Sequence, residues 1–192
     1  MSTAQQKPGR KLLHTRQVVC HGYEREDGLF DIEARMQDIT PVHTELPYRS
    51  LEAGGDIHDM HMSITIDQQM VIRHACAHTA AWPTPFCPEI NAAYAALAGE
   101  KIGPGFTQRV KTLFSGAQGC THLTELLGPM ATTAYQMMFA LQRATIGPMP
   151  IPAGSGPMKR PKAVDSCYAL REAGEPAARI WPLDRRQLIA SE

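Results

Sequence analysis

Two runs of alternating apolar and polar residues flank an Asp-Gly dipeptide near the start of this chain, and no other feature restricts its fold as much. Residues 13–23 and 29–39 are joined through Arg25-Glu26-Asp27-Gly28. Asp-Gly between such runs suits the left-handed positions of a tight hairpin turn. In the second run Phe30, Ile32, Ala34 and Met36 alternate with Asp31, Glu33, Arg35 and Gln37, one face for a core and one for water. A lone hairpin is not stable in water. The Phe30/Ile32/Met36 face must therefore pack on the rest, and residues 12–40 are expected to extend a larger sheet rather than form a separate domain.

The β character continues and then gives way to helix. After Gly54-Gly55, Ile57, Asp59, His61 and Ser63 share one face of a third strand, with His58, Met60, Met62 and Ile64 on the other. Asp67-Gln68-Gln69 turns the chain, and residues 70–78 pair back as a fourth strand. Pro83-Thr84-Pro85 ends the sheet, and Pro88 suits the first position of a helix striped by Ile90, Tyr94 and Leu97 and ended by Gly99. Phe106, Val110, Leu113 and Phe114 mark a short second helix. A third, from near Thr121, carries Leu123, Leu126, Leu127, Met130, Ala134, Met137, Met138 and Leu141 at helical spacing. These methionines read as core filling. Gly128-Pro129 predicts a kink or break in that helix. Residues 146–161 read as a Pro/Gly-rich linker, and 163–170 with 179–181 as a last hairpin or strand.

Strands followed by helices imply an α+β fold, an antiparallel sheet over 12–78 with helices of 88–145 packed on one face. The expected organisation is a disordered lead-in over 1–11 and a single domain over 12–192. That domain divides into a β extension (12–53), a core (54–145), and a linker with C-terminal extension (146–192).

Charge excludes one class of partner. Nineteen basic residues balance nineteen acidic ones over 192 residues, and the one basic run, Lys159-Arg160-Pro161-Lys162, is short. Phosphate binding needs a basic footprint, so nucleic acid is not expected. No stretch approaches the roughly 20 apolar residues that span a bilayer, and residues 1–11 are polar, so the expectation is a cytoplasmic protein without a membrane segment. Five cysteines, Cys20, Cys76, Cys87, Cys120 and Cys167, are an odd and scattered set. In a reducing compartment they read as buried thiols, metal ligands or nucleophiles.

Candidate chemistry gathers in Gly55-Asp56, Phe86-Cys87-Pro88 and Gly119-Cys120-Thr121-His122. Cys87 and Cys120 each precede an expected helix, whose free N–H groups favour thiolate. Two such thiolates, His122 and Asp56 would make a mixed sulfur, nitrogen and oxygen metal site. His58, Asp59 and His61 lie close to the Asp56 turn, and Asp59 or His61 would serve as a general base if a pocket opens there. His74, Cys76 and His78 alternate on one strand face and read as solvent decoration.

The run Gly55-Asp56-Ile57-His58-Asp59-Met60-His61, with Val71-Ile72, Ala75, Cys87 and Gly99-Glu100-Lys101-Ile102, resembles the iron–sulfur cluster scaffold proteins of the NifU/IscU kind over residues 54–142. The resemblance implies that Asp56 and Cys87 stand at the family's aspartate and second cysteine, and that Cys120 and His122 represent its His-Cys pair. Gly54 stands where that family has its first cysteine, which makes Cys167 a replacement ligand in the implied set. The whole chain also resembles a bacterial family known only as a domain of unknown function, on Asp-Gly-Leu-Phe-Asp-Ile-Glu, Gly-Cys-Thr-His-Leu and Asp-Ser-Cys. That resemblance singles out Cys120, His122 and Cys167 and implies no activity.

Three functions follow as expectations. One is a metal-binding accessory protein holding zinc or an iron–sulfur cluster on Asp56, Cys87, Cys120, His122 and Cys167. Another is an enzyme whose metal-free pocket uses Cys120 or His122 with His58, Asp59 or His61 on a small molecule. A third is a non-catalytic adaptor for a protein partner.

Overall fold

A computed structural model describes residues 9–146, 156–161 and 163–187. The lead-in expected over 1–11 lies outside these residues up to position 8, and so does the linker expected over 146–161 from 147 to 155. The strands are β1 (Thr15–Glu24), β2 (Phe30–Ile39), β3 (Thr44–Leu46), β4 (Arg49–Leu51), β5 (Asp56–Ile66) and β6 (Ile72–Ala81). β1, β2, β5 and β6 form one antiparallel sheet in that order, and β3 pairs with β4 alone. The class is the α+β arrangement that the alternating pattern implies. Gly28 turns the first hairpin at φ 79°, a conformation glycine takes without steric cost, and the Leu29 N–H donates to Asp27 Oδ1 at 3.2 Å.

Register fixes what β2 buries. Phe30 lies opposite Ile66, Ile32 opposite Ile64, Ala34 opposite Met62 and Met36 opposite Met60, and all eight are buried. The N-terminal hairpin is thus the outer half of the main sheet. Over this face lie a 3-10 run, Cys87–Leu97, then α1 (Phe106–Leu113) and α2 (Thr121–Ile146), which bury Tyr94, Leu97, Val110, Leu123, Leu126 and Met130 against it. Tyr94 stacks on Phe114 at 4.3 Å.

Two local expectations change. Pro129 does not break α2, which runs on through it. Leu126, Leu127, Met130 and Ala134 are buried on both sides of the proline, and this packing keeps the helix continuous despite the missing backbone donor. The Cys87–Leu97 run winds as a 3-10 helix with Pro88 in its first turn.

The chain divides into two compact units, 1–138 and 139–192. In the second, the expected final strands are replaced by a 3-10 turn at Tyr168–Leu170 and α3 (Glu175–Ile180). Gly174 precedes α3 and Pro176 occupies its first turn, a helix start rather than a strand. Val164, Ala177 and Trp181 make a small core there.

Candidate metal centre

One rung of the sheet carries charge where its neighbours carry methyl groups. Arg16, Asp38 and His58 lie side by side in register across β1, β2 and β5. Asp38 continues the buried series of Phe30, Ile32, Ala34 and Met36 and is itself 1% exposed. The register shifts between Asp38 and Ile39, an irregularity of the kind that re-aims side chains beside sites.

The Asp38 carboxylate is fully engaged. Oδ1 accepts from His14 Nε2 at 2.9 Å and from Arg16 Nε at 2.7 Å. Oδ2 accepts from Arg16 Nη2 at 2.7 Å and from His58 Nδ1 at 2.9 Å. An ionised carboxylate only accepts, so His58 carries its proton on Nδ1 in this arrangement. Arg16 also reaches α2, with Nη1 2.7 Å from Glu125 Oε2.

His122 closes the group from the first turn of α2. Its Nε2 lies 3.9 Å from Asp38 Oδ2, and its ring lies over that of His58 with centroids 3.7 Å apart and planes tilted by 31°. On its other side Nδ1 is 4.0 Å from Cys120 Sγ. The helix start is tied down locally: the Cys120 N–H donates to the Tyr94 hydroxyl, and the Cys120 carbonyl accepts from the Thr124 N–H, both at 2.9 Å. Gly119 makes this approach possible, because a Cβ there would stand 2.5 Å from the Phe114 carbonyl oxygen.

Burial on its own would raise the Asp38 pKa, but the bonds from Arg16 and His14, the Arg16 charge and the His58 bond outweigh it and hold the carboxyl well below the usual range. His58 is pushed down from 6.5 by burial and then by His122, against the pull of Asp38. His122 is pushed down chiefly by burial, with Asp38 opposing. The site therefore presents two neutral imidazoles and one carboxylate near neutral pH.

Among the described residues, Asp38, His58 and His122 are the one group of three or more His, Cys, Asp or Glu whose ligand atoms all lie within 4.8 Å of one another. They could hold a metal ion. Tetrahedral ligands at about 2.1 Å from zinc sit roughly 3.4 Å apart, and the 2.9 and 3.9 Å separations from Asp38 Oδ2 bracket that value.

The other candidates lie elsewhere. Asp59 is gripped by Arg35 through two bonds, at 2.7 and 2.8 Å, and sits 3.0 Å from His61 Nε2. Asp56 accepts from Gln37 at 3.2 Å. Cys87 Sγ is 3.3 Å from Thr84 Oγ1. Cys167 is an exposed thiol of the 139–192 unit. Of the residues read from sequence, the structure brings His58 and His122 together, with Cys120 alongside, and adds Asp38, His14 and Arg16. Asp38 had a signal in the sequence: it stands in phase with four apolar side chains.

Fold and site together define an α+β protein with a candidate Asp/His/His metal centre. No helix of the described residues is long and apolar enough to cross a membrane. The family described as a protein of unknown function, DUF2889, matches residues 14–136, and the chain belongs to it. Every residue of the Asp38, His58 and His122 group lies within that span. No curated protein and no solved structure matches the chain, and none therefore supports the iron–sulfur scaffold resemblance of residues 54–142.

Proposed function

We propose that the protein binds one divalent transition-metal ion, zinc fitting the donor set well, through Asp38, His58 and His122. The observation that carries this is the convergence of two imidazoles and a carboxylate within 4.8 Å, with burial favouring the neutral, ligating form of both rings. Two nitrogens and one oxygen suit zinc or ferrous iron. An iron–sulfur cluster takes mainly thiolates, and Cys120 alone lies beside the group, so the donor set favours a single ion.

His58 Nδ1, now a donor to Asp38, becomes a ligand once the neutral ring carries its proton on Nε2 instead, a change of tautomer that releases no proton near neutral pH. The Arg16 and His14 bonds hold the carboxylate in place, and the Cys120–Thr124 turn holds the His122 ring over it. Three protein ligands leave a position for water or a small molecule, the pattern of an open rather than a closed zinc site. On this reading the protein is a cytoplasmic metal-binding accessory whose partner is a small molecule or another protein.

Cobalt substitution tests the proposal. Metal-free protein titrated with Co²⁺ should develop visible d–d absorption saturating at one ion per chain. His58→Ala and His122→Ala should abolish it, while Cys87→Ser should leave it intact. Saturation that survives both histidine changes would sink the assignment.

A second reading rests on the saturation of Asp38. A carboxylate held by four bonds can serve to orient His58 as a general base without metal, His58 Nε2 then facing the substrate. Absence of any metal binding, together with rapid, pH-dependent acylation of His58 by diethyl pyrocarbonate, would favour it.

A further inference from the structure

Beside the Asp38 network, residues of α1 and α2 line a groove of about 540 Å³, within the range of small-molecule pockets. Its walls are apolar: Phe106 and Val110 come from α1, and Leu127 and Ala131 from α2. One feature of α2 leaves it open. Gly128 lines the groove with nothing within 4 Å of where a Cβ would stand. At Gly103, on the opposite side, the nearest atom to an added Cβ is the Tyr135 hydroxyl at 3.8 Å.

Two charged side chains line the groove, Lys111 and Glu125. They are not equivalent. Glu125 is committed to Arg16 at 2.7 Å, so its charge is matched within the protein. Lys111, in the last turn of α1, has no carboxylate partner among the described residues. The groove thus offers an apolar trough with one uncompensated cation at its rim. A ligand that is apolar throughout would leave that ammonium unused, and a cationic one would be repelled by it.

We propose that this groove binds a small apolar monocarboxylic acid, its aliphatic or aromatic body along Val110, Leu127 and Ala131 and its carboxylate at Lys111. The site is separate from the Asp38, His58 and His122 group, and Glu125 is the side chain common to the groove and the Arg16 network. Ligand binding here does not require the metal.

Calorimetric titration of the full chain with octanoate, octan-1-ol and octylamine tests the proposal, in metal-free and zinc-supplemented protein alike. Octanoate should bind at one per chain, at least tenfold tighter than octylamine and several-fold tighter than octan-1-ol. Lys111→Gln should remove the preference for the anion while leaving octan-1-ol binding unchanged. Gly128→Leu, which projects a side chain into open space, should weaken all three. Ala131→Leu provides a second way of filling the groove if the first change disturbs α2, with circular dichroism reporting the fold of each variant. Octylamine binding as tightly as octanoate, an anion preference that survives Lys111→Gln, octanoate binding that survives both filled grooves, or no binding of any of the three would each overturn it.

Discussion

Asp38 occupies a position where strand alternation places an apolar side chain, and it is stable there because Arg16, His14 and His58 satisfy it. Asp38→Asn keeps the shape but leaves the Arg16 guanidinium without its ion pair. Because Arg16 is partly solvated, the expected loss is about 2 kcal/mol, within the range for bonds to charged groups, read by urea denaturation. A loss below a few tenths would show that the network is decorative. The histidines predict a pH dependence. Unfolded histidine titrates near 6.5, whereas folded His58 and His122 titrate lower. As pH falls below about 6.5, the unfolded chain takes up protons that the folded one resists, so stability drops and goes on dropping until the folded values are passed. Asp38, also depressed, adds its own loss only at more acid pH, starting in the ordinary carboxylate range where the unfolded carboxyl takes up its proton and continuing below it. The Tm of metal-free protein should fall between pH 7.5 and 5.5, and the slope should flatten in a His58→Gln, His122→Gln double variant. An equally steep slope in that variant would contradict the assignment. At this scale the sequence showed only part of the site. His58 and His122 stood out by residue type, whereas the one sign of Asp38 is its place in phase with Phe30, Ile32, Ala34 and Met36. Its importance depends on β2 lying beside β5, a pairing of distant segments that local pattern does not reveal.

The elements were more legible than the side chains. The β1–β2 hairpin, the burial of Phe30, Ile32 and Met36, and the Met60/Met62/Ile64 face follow from alternation, because a period of two leaves a strand little choice of face. Pro129 does not interrupt α2 because its local cost is outweighed by burial on both sides, and the tail misled because its few apolar residues fit a short helix as well as a strand. Two tests belong here. Removing residues 1–40 strips β5 of its partner and opens the core, so a 41–192 fragment should lack a cooperative thermal transition; a sharp one would show that the hairpin is an appendage. Gly119→Ala would push a Cβ against the Phe114 backbone. The expected cost is about 1–3 kcal/mol for overpacking, with weaker metal binding as the start of α2 and His122 shift together. Weaker metal binding is the part that a purely structural glycine would not produce.

For the molecule as a whole, the sheet supplies Arg16, Asp38 and His58 on one rung, and the helical layer supplies His122 and Glu125 from the start of α2. The site exists only when both layers are assembled, so metal binding and folding of residues 9–138 should be coupled, as when any ligand binds the native state alone. The measurement that tests this most directly is calorimetric titration of metal-free protein with zinc at neutral pH. One ion should bind per chain, more weakly as the pH is lowered and the histidines take up protons, and binding should be lost in the His58→Ala, His122→Ala double variant. Binding of the same stoichiometry and affinity in that variant, or no binding by the wild-type chain, would contradict the assignment.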